Sequence, residues 1–104
     1  MTDPTPAATI EPVWLVRATC APDAAEARIP FRPRHLARLA ELKAAGVIVE
    51  AGAFLDVSES VLLIRAGTEA EALEVCRRDV YMQNGVWVEL RAKAFGRMRT
   101  ADEG

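Results

Sequence analysis

The chain is short of the residues that make most kinds of site obvious. Its 104 residues hold one histidine, two cysteines and six aromatic side chains. A single His is too few for a protein-ligated zinc or di-metal centre, which takes three or four His, Cys or carboxylate ligands. Cys20 and Cys76 lack CxxC spacing, which excludes a disulfide framework or a zinc cage and suits a reducing compartment. There is no GxGxxG, no P-loop and no HExxH, and Ser58 and Ser60 stand outside any GxSxG context. Positive charge is not in excess, with 13 Lys and Arg against 15 Asp and Glu, so a nucleic-acid partner held by bulk charge is excluded. No apolar run approaches the ~20 residues of a membrane span. The opening MTDPTPAATIEP is acidic and has no apolar h-region, so a cytoplasmic location is expected. Large apolar side chains are also scarce. Hydrophobic residues make up 51% of positions, but 19 of them are Ala, which leaves a thin core for one small domain.

What is present is ordered. Residues 1–11 are rich in Pro, Thr and Ala without an apolar period and read as a flexible N-terminal arm. VWLVRAT, Val13 to Thr19, is β-branched and aromatic and predicts a strand. A polar, Ala-rich loop follows to Pro33, with prolines at 22, 30 and 33 preventing one long helix. RHLARLAELKAA, Arg34 to Ala45, predicts a helix with Pro33 at its first turn and Gly46 at its C-terminal cap. Val47 to Leu55 and Val61 to Arg65 read as a hairpin, with its turn over residues 56–59. Thr68 caps a second helix to about Arg78, with Glu71 as capping-box partner. Asn84-Gly85 is a turn, Val86 to Phe95 an alternating last strand, and residues 99–104 a frayed tail. The domain is thus expected over residues 12–98.

The order β-α-β-β-α-β predicts the ferredoxin-like α+β sandwich, an antiparallel sheet with two antiparallel helices on one face. That topology puts the start of the first helix beside the end of the second, so His35 and Asp79, 44 residues apart, are predicted neighbours. The other sheet face carries apolar residues together with Arg17, Arg65 and Arg91. In the last strand, Trp87, Glu89, Arg91, Lys93 and Phe95 are assigned to the face opposite Val86, Val88 and Leu90. A bare apolar sheet face is costly, so a homodimer packed sheet to sheet is expected, with the arginines near its rim. The alternative is a solvated monomer.

His35 is the one ordinary acid–base group near neutral pH. His35, Leu39 and Leu42 share a helical stripe, which brings the ring to the buried face. A carboxylate at a helix C-terminus faces the negative end of the dipole and needs a donor, and a His35 N–H is one candidate for Asp79. The alternatives are a structural histidine, and Asp79 paired with Arg77 or Arg78. Arg28, Arg32 and Arg34 crowd the loop before His35 and are candidates to bind a carboxylate or phosphate; solvated surface charge is the other reading. Tyr81 and Trp87 are candidates to wall a pocket, or to pack the core or a subunit contact. Cys20 has no base beside it and is read as inert. One axial His leaves a haem formally open.

The stretch RPRHLARLAEL, Arg32 to Leu42, resembles the YciI-like, or YCII-related, family, whose members carry R-P-x-H-L-x-x-L at the start of the first helix. The likeness continues at Gly46, at Ala51-Gly52, at Asp79, Tyr81 and Gly85 of D-x-Y-x-x-x-G, and at Lys93 to Phe95. It runs from about residue 12 to 98. The resemblance implies a ferredoxin-like fold forming a dimeric α/β barrel, and a His–Asp centre that falls on His35 and Asp79. Two departures stand out: Val80 replaces the proline of the usual D-P-Y, and Ala53 that of the usual A-G-P. The resemblance also points to proton chemistry on small ring compounds without a cofactor, as in dehydrochlorinases and lactone isomerases. The expected function is therefore a cofactor-independent lyase or isomerase acting on a small anionic cyclic substrate. His35 would carry the proton, Asp79 orient it, Arg28 or Arg32 hold the charge, and Tyr81 and Trp87 line the pocket. The alternative is a non-catalytic dimeric module that binds or senses a small molecule in the same cleft.

Overall fold

A computed structural model describes residues 7–100. The elements run β1 (Ala8–Cys20), α1 (Ala24–Ala27), α2 (Arg32–Ala44), β2 (Ile48–Ala53), β3 (Glu59–Ile64), α3 (Glu69–Arg77), α4 (Val80–Gln83) and β4 (Trp87–Thr100). The four strands form one antiparallel sheet in the order β2-β3-β1-β4. The expected ferredoxin-like arrangement is therefore present, with two additions that the sequence pattern did not reveal, the one-turn helices α1 and α4.

Local chemistry explains the boundaries. Pro33 sits in the first turn of α2, where a missing N–H costs nothing. Gly46, at φ +79°, ends that helix in the left-handed region glycine tolerates. Thr68 caps α3 by accepting from the Glu71 N–H, while the Glu71 carboxylate accepts from the Gly67 N–H rather than from Thr68 itself.

Two expectations need correcting. The arm does not stay loose over residues 8–11: Ala8 to Glu11 pair with Thr100 to Arg97 of β4. Backbone pairing needs no apolar period, which is why composition missed it; Arg65 and Arg97 further hold Glu11. Residues 1–6 and 101–104, the rest of the expected arm and most of the expected tail, lie outside the described residues. Second, Trp87 is not on the face with Glu89 and Arg91. Cys20 pairs with Trp87 but Thr19 with Glu89, so Val88 is an extra residue, a β-bulge that reverses the alternation. Trp87 thereby turns inward and is 1% exposed.

The core lies between sheet and helices and gathers Val16, Ala18, Ile48, Leu62, Ile64, Ala72, Cys76, Val80, Tyr81 and Trp87. On the opposite face, Val13, Leu15, Val61 and Leu63 form an apolar band beside exposed Phe95. Ion pairs close its two ends: Glu59 with Arg17 and Arg91, and Glu11 with Arg65 and Arg97. No helix among the described residues is long and apolar enough to cross a membrane.

Candidate functional site

His35 is the fourth residue of α2, and its backbone N–H bonds the Phe31 carbonyl, which seats the residue in the first turn of the helix. Asp79 is positioned by a break in the chain. Helix α3 closes at Arg78, Asp79 becomes extended (φ −71°, ψ 141°), and α4 begins at Val80. The aspartate is thus not simply at the negative end of a helix, as the sequence suggested. It is also the N-cap of α4, with Oδ1 accepting the Tyr81 N–H at 2.9 Å. Val80, which stands where proline is usual, occupies the first helical position, where the N–H has no helical partner in any case. Its side chain is buried in the core instead.

His35 Nδ1 and Asp79 Oδ1 are 2.7 Å apart, and both groups are buried. The other carboxylate oxygen accepts from Arg38 Nη1 at 3.1 Å, while Arg38 Nη2 donates to the Val75 carbonyl at 2.8 Å. Burial by itself pushes the Asp79 carboxyl up, but the His35 hydrogen bond, the Tyr81 N–H and the Arg38 charge outweigh it and leave it below the usual range. An ionised carboxylate only accepts, so Nδ1 is the ring nitrogen that carries the proton in the neutral imidazole. That leaves the lone pair on Nε2, which has no hydrogen bond among the described residues.

The imidazole stacks on Tyr81, with centroids 3.7 Å apart and planes 7° from parallel, and meets the edge of Trp87 at 5.3 Å. Trp87 is pinned in turn by its Nε1–H to Ser60 Oγ at 3.1 Å. These aromatic rings, with Leu39, Leu62 and Val86, line a cavity of about 320 Å³. That lies at the small end of ligand pockets, a size for a compact molecule. Arg28 and Arg32 border the same cavity, and neither guanidinium has a hydrogen-bond or ion-pair partner among the described residues. Burial raises the Tyr81 phenol above its usual range against the pull of both arginines.

The structure therefore brings together His35, Asp79, Arg28, Arg32, Tyr81 and Trp87. It does not bring Arg34, which is absent from the cavity lining and borders a separate, shallow surface with Ala37, Arg38, Glu41 and Val80. Cys20 and Ser60 line the cavity too, although neither stood in a recognisable motif. Burial pushes the Cys20 thiol up and outweighs the opposing effects of Ser60 and Arg28, which makes it a poor nucleophile. Arg38 was missed altogether. Its signal was the i, i+3 spacing from His35, which lets one helix face present both donors to a single carboxylate. Among the described residues no three His, Cys, Asp or Glu side chains gather as metal ligands.

Known proteins agree with this architecture. The chain is 36% identical over 83 residues to the "derivative of benzaldehyde biosynthesis cluster protein C" of Emericella nidulans, covering 69% of this chain and 85% of that protein. The fold is similar to that of 5-chloro-2-hydroxyhydroquinone dehydrochlorinase from Burkholderia phenoliruptrix, solved in complex with 2,5-dihydroxybenzoquinone. The TM-score is 0.67 at 23% identity, over 78% of this chain and 90% of that one. At that identity the likeness establishes the fold. The model of the YCII-related domain matches residues 13–96, and this chain belongs to that family.

Proposed function

We propose that the chain is a small, cofactor-independent enzyme that moves a proton on a compact anionic ring compound, as a lyase or isomerase does. The observation that supports this best is an imidazole whose Nδ1 is tied to an ionised, buried Asp79 while it lines a cavity bordered by two arginines that have no ion-pair partner among the described residues. In this reading Nε2 takes a proton from the substrate and returns it, and Asp79 keeps the tautomer and stabilises the imidazolium formed in between. Arg28 and Arg32 hold the substrate's negative charge and favour a developing enolate or phenolate. Tyr81 and Trp87 shape the slot for a flat ring. The six-membered quinone held by the similarly folded dehydrochlorinase is a ring compound of the kind proposed here. We further propose that the working form is a cytoplasmic homodimer joined through the apolar sheet face.

The test is solvent-deuterium exchange into the ring C–H of hydroxyquinones and hydroxybenzoates, followed by proton NMR. The wild type is expected to accelerate exchange on at least one compound, His35→Ala to abolish it with the fold intact, and Arg28→Met/Arg32→Met to weaken saturation. Exchange unaffected by His35→Ala would refute the assignment. Saturable binding with no exchange would instead make the cleft that of a non-catalytic binding module.

A further inference from the structure

The cavity mouth is chemically unlike its floor. The tip of the β2–β3 hairpin, residues 53–57, forms one lip, and Phe54, Leu55 and Val57 all line the cavity. Phe54 is half exposed and Leu55 fully exposed, and across from them Leu36 of α2, also half exposed, lines the same space. Large apolar side chains in water at a mouth that leads to two guanidinium groups and a histidine are an unusual combination, because each is costly to leave uncovered.

The tip is a shaped lip rather than a loose loop. The Phe54 N–H bonds Glu59 O, the Val57 N–H bonds Phe54 O, and Asp56 Oδ1 accepts from both the backbone and the hydroxyl of Ser58. Val57 is held at φ +60°, a left-handed conformation that is costly for a β-branched residue. A constrained turn thus holds Phe54 and Leu55 at the rim before any ligand arrives, which lowers the ordering cost of binding.

Resting on the proton-transfer reading of the floor, we infer that the substrate is an anionic ring compound with an apolar substituent, an alkyl or second aryl group, that leaves the cavity between Leu36, Phe54 and Leu55. The ring and its charge sit with His35, Arg28 and Arg32. The substituent covers the three exposed side chains. A small, uniformly polar hydroxyquinone would leave this lip unused.

The test uses benzoate and its 4-methyl, 4-butyl and 4-hexyl derivatives as probes, titrated against tryptophan fluorescence, since Trp87 lines the cavity. A fully buried methylene is worth about 0.8 kcal/mol, or roughly fourfold in affinity. A half-covered one at the mouth should give about twofold per carbon. Affinity is therefore expected to climb steadily along the series in the wild type. The climb should flatten in Phe54→Ser/Leu55→Ser, whose changes lie on the surface, with binding of benzoate itself unchanged. Arg28→Met/Arg32→Met should weaken every probe alike and leave the climb intact. Saturable binding that does not depend on chain length overturns the inference alone, because the anion site then still works. A flat series with loss of dimer in the Ser/Ser variant would assign the tip to a subunit contact instead. No saturable binding of any probe overturns both the lip and the anion-binding part of the proposed function. Loss of proton exchange in the separate assay, with the climb intact, overturns only the catalytic reading.

Discussion

Replacing Asp79 by Asn tests the centre most directly, because the change is isosteric and three donors converge on that carboxylate. His35 Nδ1, the Tyr81 N–H and Arg38 Nη1 lie at 2.7, 2.9 and 3.1 Å. Asparagine keeps one acceptor oxygen and adds two N–H donors. Whichever way the amide turns, an N–H₂ faces at least one group that is itself a donor, and Arg38 loses its counter-charge. Breaking a fully buried ion pair costs about 3–5 kcal/mol. Arg38 keeps 27% of its side chain in water and its bond to Val75 O, so a cost of about 2–3 kcal/mol is the better expectation. For a domain of this size that corresponds to a fall in Tm of roughly 10–20 °C. Urea denaturation of both proteins measures it. The pH dependence gives the sign. Asp79 is held below its unfolded value, so its contribution is complete above about pH 4 and is lost as pH falls from there through the folded value. The gap between wild type and Asp79→Asn should therefore narrow below pH 4. Because His35 is the only imidazole, a long-range proton–nitrogen spectrum reports one tautomer without overlap. The wild type should show Nδ1–H, and Asp79→Asn a loss of that preference. A wild-type ring protonated on Nε2, or a stability change under about 0.5 kcal/mol, would refute the reasoning.

Three further outcomes are expected. Trp87→Phe removes the bond to Ser60 Oγ and part of a 1%-exposed ring, which should cost about 2 kcal/mol in urea unfolding. Thr68→Ala removes the exposed N-cap of α3, far from the cavity, and should cost about 1 kcal/mol with ligand affinity unchanged. Native protein treated with a maleimide at neutral pH should leave Cys76 unlabelled until it unfolds, since burial and the nearby Asp79 charge push that thiol up to about 12, while half-buried Cys20 should label slowly; mass spectrometry of peptides separates the two.

Much of the layout is written in local patterns. Pro33 and Gly46 bracket α2, Thr68 opens α3, and the alternation of Val13 to Ala18 defines the faces of β1. From these the sheet order follows, and with it the meeting of His35 and Asp79. What the pattern could not reveal depends on non-local pairing. Residues 8–11 carry no strand signal of their own and are ordered by β4 and by the charge of Glu11 between Arg65 and Arg97. Trp87 was assigned to the wrong face because a period of two survives only while the ladder has no extra residue, and the bulge at Val88 is invisible without the partner strand. Helix α4 is one turn long, too short for any periodic signal.

That same short helix explains why a full negative charge is tolerated with no access to water. Had α3 run straight into the last strand, Asp79 would have met only carbonyl ends, the unfavourable end of the dipole. The break at Arg78 turns the carboxylate onto the Tyr81 N–H in the first turn of α4, and Arg38 reaches across from α2 to balance it. Against burial, the His35 hydrogen bond acts with the Tyr81 N–H and the Arg38 charge to keep the aspartate ionised. Both groups gain from the pairing: the aspartate keeps its charge, and the imidazole has its tautomer set by a carboxylate that the Tyr81 N–H and Arg38 also hold in place. The ring also lines the cavity, with no hydrogen bond to Nε2 among the described residues. This arrangement suits a ring that must change charge and return without moving.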